Sequence, residues 1–92
     1  LHQYLDKEKY PEERKAILAL LNYREFVAVG INTGIIDEKV YKRSFCNIIT
    51  RDWKMLCKTI EAIRNSEKGK PTNFQDFETL AKRWEREPLS KM

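Results

Sequence analysis

The stretch from Ala16 to Ile36 constrains this chain more than any other. It is largely apolar, with Asn22, Arg24, Glu25 and Asn32 set into it, and it closes at Gly34 before an acidic restart at Asp37 and Glu38. A helix of this kind, stopped by glycine and restarted by a capping residue, has to bury much of its surface against other helices. Pro11 suits the first helical position, and Glu12 and Glu13 then sit at the positive end of the helix dipole. The spacing therefore predicts a helix from Pro11 to Thr33 with Gly34 as a left-handed C-cap. On a helical wheel, Ala16, Ile17, Leu20, Leu21, Tyr23, Val27, Ala28, Gly30 and Ile31 fill about half the cylinder. Leu18 and Val29 lie nearly opposite, which predicts neighbours on more than one side.

A second helix restarts at Asp37, where Ile36 is placed to form a hydrophobic staple with Tyr41. It is read to about Ser66, either unbroken or bent near Ser44 to Asn47. Phe45, Ile49, Trp53, Leu56, Ile60 and Ile63 form its core-facing stripe, with Cys46 and Cys57 at the edge. Asn65 to Lys70 is a polar turn containing Gly69. A last helix is expected from Pro71, with Thr72 and Gln75 in capping-box spacing and Phe74, Phe77, Leu80, Ala81 and Trp84 on one face. Trp53, Trp84, Phe74 and Phe77 are predicted core. Residues 1–10 read as the end of a preceding helix, with Tyr4 and Leu5 packing on the domain, and 87–92 as a frayed tail after the helix closes at Pro88.

These elements make one helical domain over 1–92, an all-α irregular bundle of three to four helices. Composition agrees: 41% hydrophobic residues is too many for disorder, and three Gly are too few for a turn-rich β fold. A 92-residue chain buries only about 60–65% of its unfolded surface, so modest stability is expected and a partner would add to it.

Several chemistries find no foothold. Asn22, Arg24, Glu25 and Asn32 interrupt the best candidate for a membrane span, which needs about 18 unbroken apolar residues. Cys46 and Cys57 are about 16 Å apart on a continuous helix, too far for a disulfide, and with a single histidine, His2, a zinc site is not expected. They read as reduced buried thiols of a cytoplasmic protein. No phosphate-binding glycine loop and no nucleophile beside a base appear, so no catalytic residue, cofactor or metal is assigned. Glu25, Asp37, Glu38 and Asp52 are the acids near the core, and each has a helix-cap or ion-pair explanation.

Arg24 falls inside the apolar arc, where an unpaired guanidinium is expensive. Either its stem packs and its head stays wet, or it joins an ion pair, for which Asp52 on the next helix is the plausible partner. Glu25, at the border of the arc, is a candidate interhelical contact. Together Arg24, Glu25 and Asp52 form a candidate interface or ion-pair set.

Between Lys39 and Lys58 there are six basic residues and one acid, a local +5 against +4 for the whole chain. Arg43, Asn47, Arg51, Lys54 and Lys58 cluster opposite the Ile49–Trp53 stripe as a ridge about four turns long. This is either an ordinary solvated helix face or the predicted binding surface of the domain, with Arg24 and Glu25 as a second candidate, and its charge would also suit a phosphate backbone or an anionic membrane surface. No aromatic is interleaved with it, so nucleic acid would be held without base readout.

The run Glu13-Arg14 through Asp37-Glu38 resembles a bacterial and prophage family of small helical domains of unknown function. Its centre is Leu21-Asn22-Tyr23-Arg24-Glu25-Phe26-Val27-Ala28-Val29-Gly30-Ile31, followed by Gly34-Ile35-Ile36-Asp37-Glu38. The likeness continues more loosely through Phe45, Trp53, Ile60, Arg64, Phe74 and Leu80. Members often carry one or two membrane-spanning helices before this domain. The resemblance thus implies a cytoplasmic helical domain tethered through a preceding segment, and it carries over no catalytic residue. Arg24 departs from the apolar or aromatic residue usual at that position. The expected role is a non-catalytic protein–protein interaction domain with a protein partner or as a homo-oligomer. The alternatives are a prophage-encoded inhibitor of a host protein and a non-specific nucleic-acid or anionic-surface binder.

Overall fold

The computed structural model describes residues 1–89. Helix α1 spans Pro11–Asn32, α2 Glu38–Arg64 and α3 Gln75–Arg86, and no strand occurs among the described residues. The protein is an all-α bundle of three helices, because α2 runs through positions 44–47 without a break. Residues His2–Leu5 form one 3-10 turn rather than the end of an α-helix, and Tyr4 meets Tyr10 edge-on at 5.0 Å between ring centroids. The frayed tail expected over 87–92 lies, from Ser90 on, outside the described residues.

The joint between α1 and α2 follows from its sequence. Thr33 is the C-cap of α1 and Gly34 takes φ +85°, a conformation other L-residues adopt only with strain. The Ile36 N–H then reaches back to the Gly30 carbonyl at 2.9 Å, and the Ile36 side chain lies over Gly30. A Cβ on residue 30 would stand 2.6 Å from Ile36 Cδ1, so glycine in the apolar stretch marks this close approach. Asp37 caps α2 by accepting from the Val40 N–H at 3.1 Å.

The core draws on all three helices. Leu21 and Ala28 from α1, Ile49 and Ile60 from α2, and Phe77 and Trp84 from α3 are fully buried, and Trp53 meets Phe77 edge-on at 5.7 Å. Phe74 is only half-buried. Helix α3 packs on both long helices, whereas α1 and α2 approach each other over a smaller area. The expected arc on α1 is too wide: Ala16 and Tyr23 are exposed. The buried line runs through Leu21, Val27, Ala28 and Ile31, because α2 and α3 lie on one side of α1. Cys46 is buried and Cys57 half-buried, both as free thiols.

Candidate binding surfaces and the polar seam

Successive helical residues point about 100° apart, and three neighbours on α1 therefore address three environments. Arg24 turns to α2, Glu25 to α3 and Phe26 to solvent. The Arg24 guanidinium donates through Nε (3.0 Å) and Nη2 (2.9 Å) to Oδ2 of Asp52. Both side chains are largely buried, 13% and 4% exposed, so the pair is interior and not a rim contact. Arg51 approaches the other carboxylate oxygen, Oδ1, at 3.2 Å while remaining mostly exposed.

Glu25 makes the interhelical contact that its place at the border of the arc suggested, in the form of a helix cap that the sequence did not disclose. Its Oε1 accepts the Phe77 N–H at 2.8 Å and its Oε2 the Asp76 N–H at 3.3 Å. These are the second and third residues of α3, whose orphan donors a capping side chain ordinarily satisfies. The predicted start of α3 at Pro71, with its capping box, is thereby corrected. Residues 71–74 form a turn in which Arg64 Nε takes the Asn73 carbonyl (2.8 Å), and Phe74 adopts a left-handed φ of 60° with no cap of its own. The helix starts at Gln75 and its cap comes from α1. Burial pushes the Glu25 carboxyl up, against the lowering effect of the two backbone N–H groups, and the Asp76 carboxylate adds to the rise.

A second set of polar contacts continues this seam. Asn32 donates to the Asp76 backbone and side-chain oxygens (3.2 and 3.1 Å) and accepts from Arg83 Nη2 at 2.8 Å. Arg83 also makes a two-pronged contact with Glu38, at 3.1 Å from each of Nε and Nη2. Glu38 Oε2 accepts the Trp84 indole N–H at 2.8 Å. Burial acts to raise Glu38, but the hydrogen bonds from Arg83 and Trp84 outweigh it and hold the carboxyl below its usual value. At the far end of α2, Glu78 pairs with Lys82 and with Arg64. The Lys82 hydrogen bond, with Arg64 behind it, keeps Glu78 low against burial.

All four acids near the core thus have structural work: Glu25 caps α3, Asp37 caps α2, Glu38 holds Arg83 and Trp84, and Asp52 holds Arg24. The central motif of the sequence reads, in three dimensions, as a device for seating α3. Among the described residues no group of His, Cys, Asp and Glu is arranged to hold a metal ion.

Two outward faces remain. On α2, Arg43, Asn47, Arg51, Lys54 and Lys58 are all exposed, as the wheel implied, and Arg43, Lys54 and Lys58 have no carboxylate partner among the described residues. On α1, Phe26 is 75% and Tyr23 56% exposed, with Val29, Asn22, Ala19 and Ala16 beside them. Tyr23 lies beside the Tyr41 hydroxyl, whose pKa burial pushes up. Phe26 was absent from the predicted buried arc, and that omission was the available signal for this second face.

No helix among the described residues is long and apolar enough to cross a membrane. No curated protein and no solved structure matches the chain. A family model described as a domain of unknown function, DUF4760, matches residues 2–84, and the chain belongs to that family.

Proposed function

We propose that this domain is a non-catalytic protein–protein interaction module and that it binds through the outer face of α1. The observation that carries the reading is Phe26, a phenylalanine three-quarters exposed at the centre of a face without a free charge, in a chain that is 35% charged. A contiguous apolar stripe, unlike scattered surface residues, marks a contact surface. The charged neighbours Arg24 and Glu25 are turned inward, so they are support for the surface and not part of it.

The resemblance stated from the sequence extends the proposal to a cytoplasmic domain of a bacterial or prophage protein, held near a membrane by a preceding segment. An inhibitor that docks on one host protein is a special case of the same role. A second reading, phosphate-backbone or anionic-membrane binding, is favoured by Arg43, Lys54 and Lys58, which are exposed and have no carboxylate partner among the described residues.

Capture from native-host lysate after nuclease treatment separates the two. The interaction reading predicts that Phe26→Glu loses the captured protein, while reversal of Arg43, Arg51, Lys54 and Lys58 to Glu keeps it. Retention by Phe26→Glu together with loss on ridge reversal overturns the assignment to α1.

A further inference from the structure

Building on that reading, we infer that the partner on the α1 face is a second copy of this chain, in an antiparallel two-fold pairing of α1 with α1 centred between Asn22 and Tyr23. The argument starts from size. A two-fold axis there brings together positions whose numbers add to 45, so Phe26 meets Ala19, Val29 meets Ala16, and Tyr23 meets Asn22. Every large side chain on the stripe faces a smaller one on the other copy. That alternation lets two helices interdigitate, and it is the self-complementarity an isologous interface requires.

Charge points the same way. Interfaces between identical copies are more apolar than contacts between unlike partners that come and go. Here the stripe from Ala16 to Val29 has no free charge, because Arg24 is bound to Asp52 and Glu25 to the start of α3. A charge-free face meets itself without repulsion. The +5 of the α2 segment does not oppose the pairing. On α2, Arg51 points outward, Asp52 to α1 and Trp53 to α3, so the basic ridge leaves the bundle in a direction different from Phe26. Beyond the apolar stripe, Lys15 comes level with Gly30 of the other copy, which the Ile36 side chain covers, near the carbonyl end of a helix that has no basic residue in its own last turn. Glu12 comes opposite Thr33 at the outer rim.

The 22 residues of α1 make a contact about 33 Å long. One helix face of that length lies at the small end of specific interfaces, so a weak dimer is expected, and roughly 10 to 100 μM is the range in which to look for it.

Sedimentation equilibrium on the whole chain tests this with three variants, each confirmed helical by circular dichroism. The wild type is expected to reach a dimer mass over that range. Phe26→Glu should weaken the dimer at least tenfold, and Lys54→Glu on the ridge should leave it unchanged. Ala19→Phe is the decisive variant: it adds apolar surface to an exposed site yet fills the hole that receives Phe26, so it too should weaken the dimer at least tenfold. Tighter association of Ala19→Phe overturns the register and shows non-specific stickiness. A wild type that stays monomeric at all concentrations overturns the dimer altogether. In that case the interaction reading itself still stands or falls on whether Phe26→Glu loses a different protein from lysate.

Discussion

Removing the Glu25 carboxylate tests how far one acidic side chain sets the position of a neighbouring helix. Helix α3 has only 12 residues, too few to be stable alone, and it begins at a left-handed Phe74 without a local cap. Glu25→Ala leaves the Asp76 and Phe77 N–H groups in a part-buried site with no acceptor. Loss of a helix cap costs about 0.5–2 kcal/mol, and leaving buried donors unsatisfied acts in the same direction, so about 2 kcal/mol is expected. For a domain of this size that lowers Tm by roughly 10 °C. Glu25→Gln keeps an acceptor for Phe77 and should cost about 1 kcal/mol. The pH dependence carries the sharper test. Burial raises the Glu25 carboxyl in the folded state, so the folded protein holds its proton more tightly than the unfolded chain. The stability this contributes is full below the ordinary value of 4.5 and is lost as pH rises through the raised folded value. The deficit of both variants relative to wild type should therefore shrink as pH is raised from about 4 toward neutrality. Urea unfolding at a series of pH values, followed by the fluorescence of Trp53 and Trp84, measures it. A deficit that grows with pH would refute the reasoning, since it would mean that the folded state prefers the charged carboxylate.

The Arg24–Asp52 pair should behave as a buried ion pair. Arg24→Met alone leaves Asp52 with only Arg51 and is expected to cost about 2–3 kcal/mol, whereas Arg24→Met with Asp52→Leu should return to within about 1 kcal/mol of wild type. Equal costs for the single and double variants in urea unfolding would show that the pair holds nothing together. Glu38 has the opposite pH sign to Glu25: its carboxyl lies below the usual value, so its contribution is present above 4.5 and disappears as pH falls through the folded value. Glu38→Gln should accordingly flatten the acid limb of the stability curve, and a limb identical to wild type would contradict the assignment.

What the sequence disclosed depended on how local the determining physics was. Pro11, Gly34 and Asp37 each act within one turn of the chain: α1 starts at Pro11 as predicted, and the left-handed Gly34 and the Asp37 cap stand at the joint between α1 and α2. The stripe of Ile49, Trp53, Leu56 and Ile60 is equally local, since its period alone sets its face. The start of α3 was misplaced because Thr72 and Gln75 offer a good local cap, and a distant one prevailed. Arg64 takes the Asn73 carbonyl and Glu25 supplies the acceptor from some fifty residues away, which no periodicity records. Arg24 illustrates the middle case. Its position in the arc signalled a need for a carboxylate, and Asp52 on the flank of the next stripe was the nearest suitable one. Ala16 and Tyr23, placed in the buried arc yet exposed, show the limit of a wheel for a helix covered on one side. It locates an apolar arc, but the exact buried line depends on where α2 and α3 sit.

The pairing of α1 with a second copy is read most directly by amide NMR on dilution. Cross-peaks assigned to Ala16, Ala19, Asn22, Tyr23, Phe26 and Val29 should move together as concentration falls through the micromolar range, while those of Arg43, Asn47, Lys54 and Lys58 on the α2 ridge stay fixed. A spectrum that does not change on dilution, or changes confined to the ridge, would contradict it.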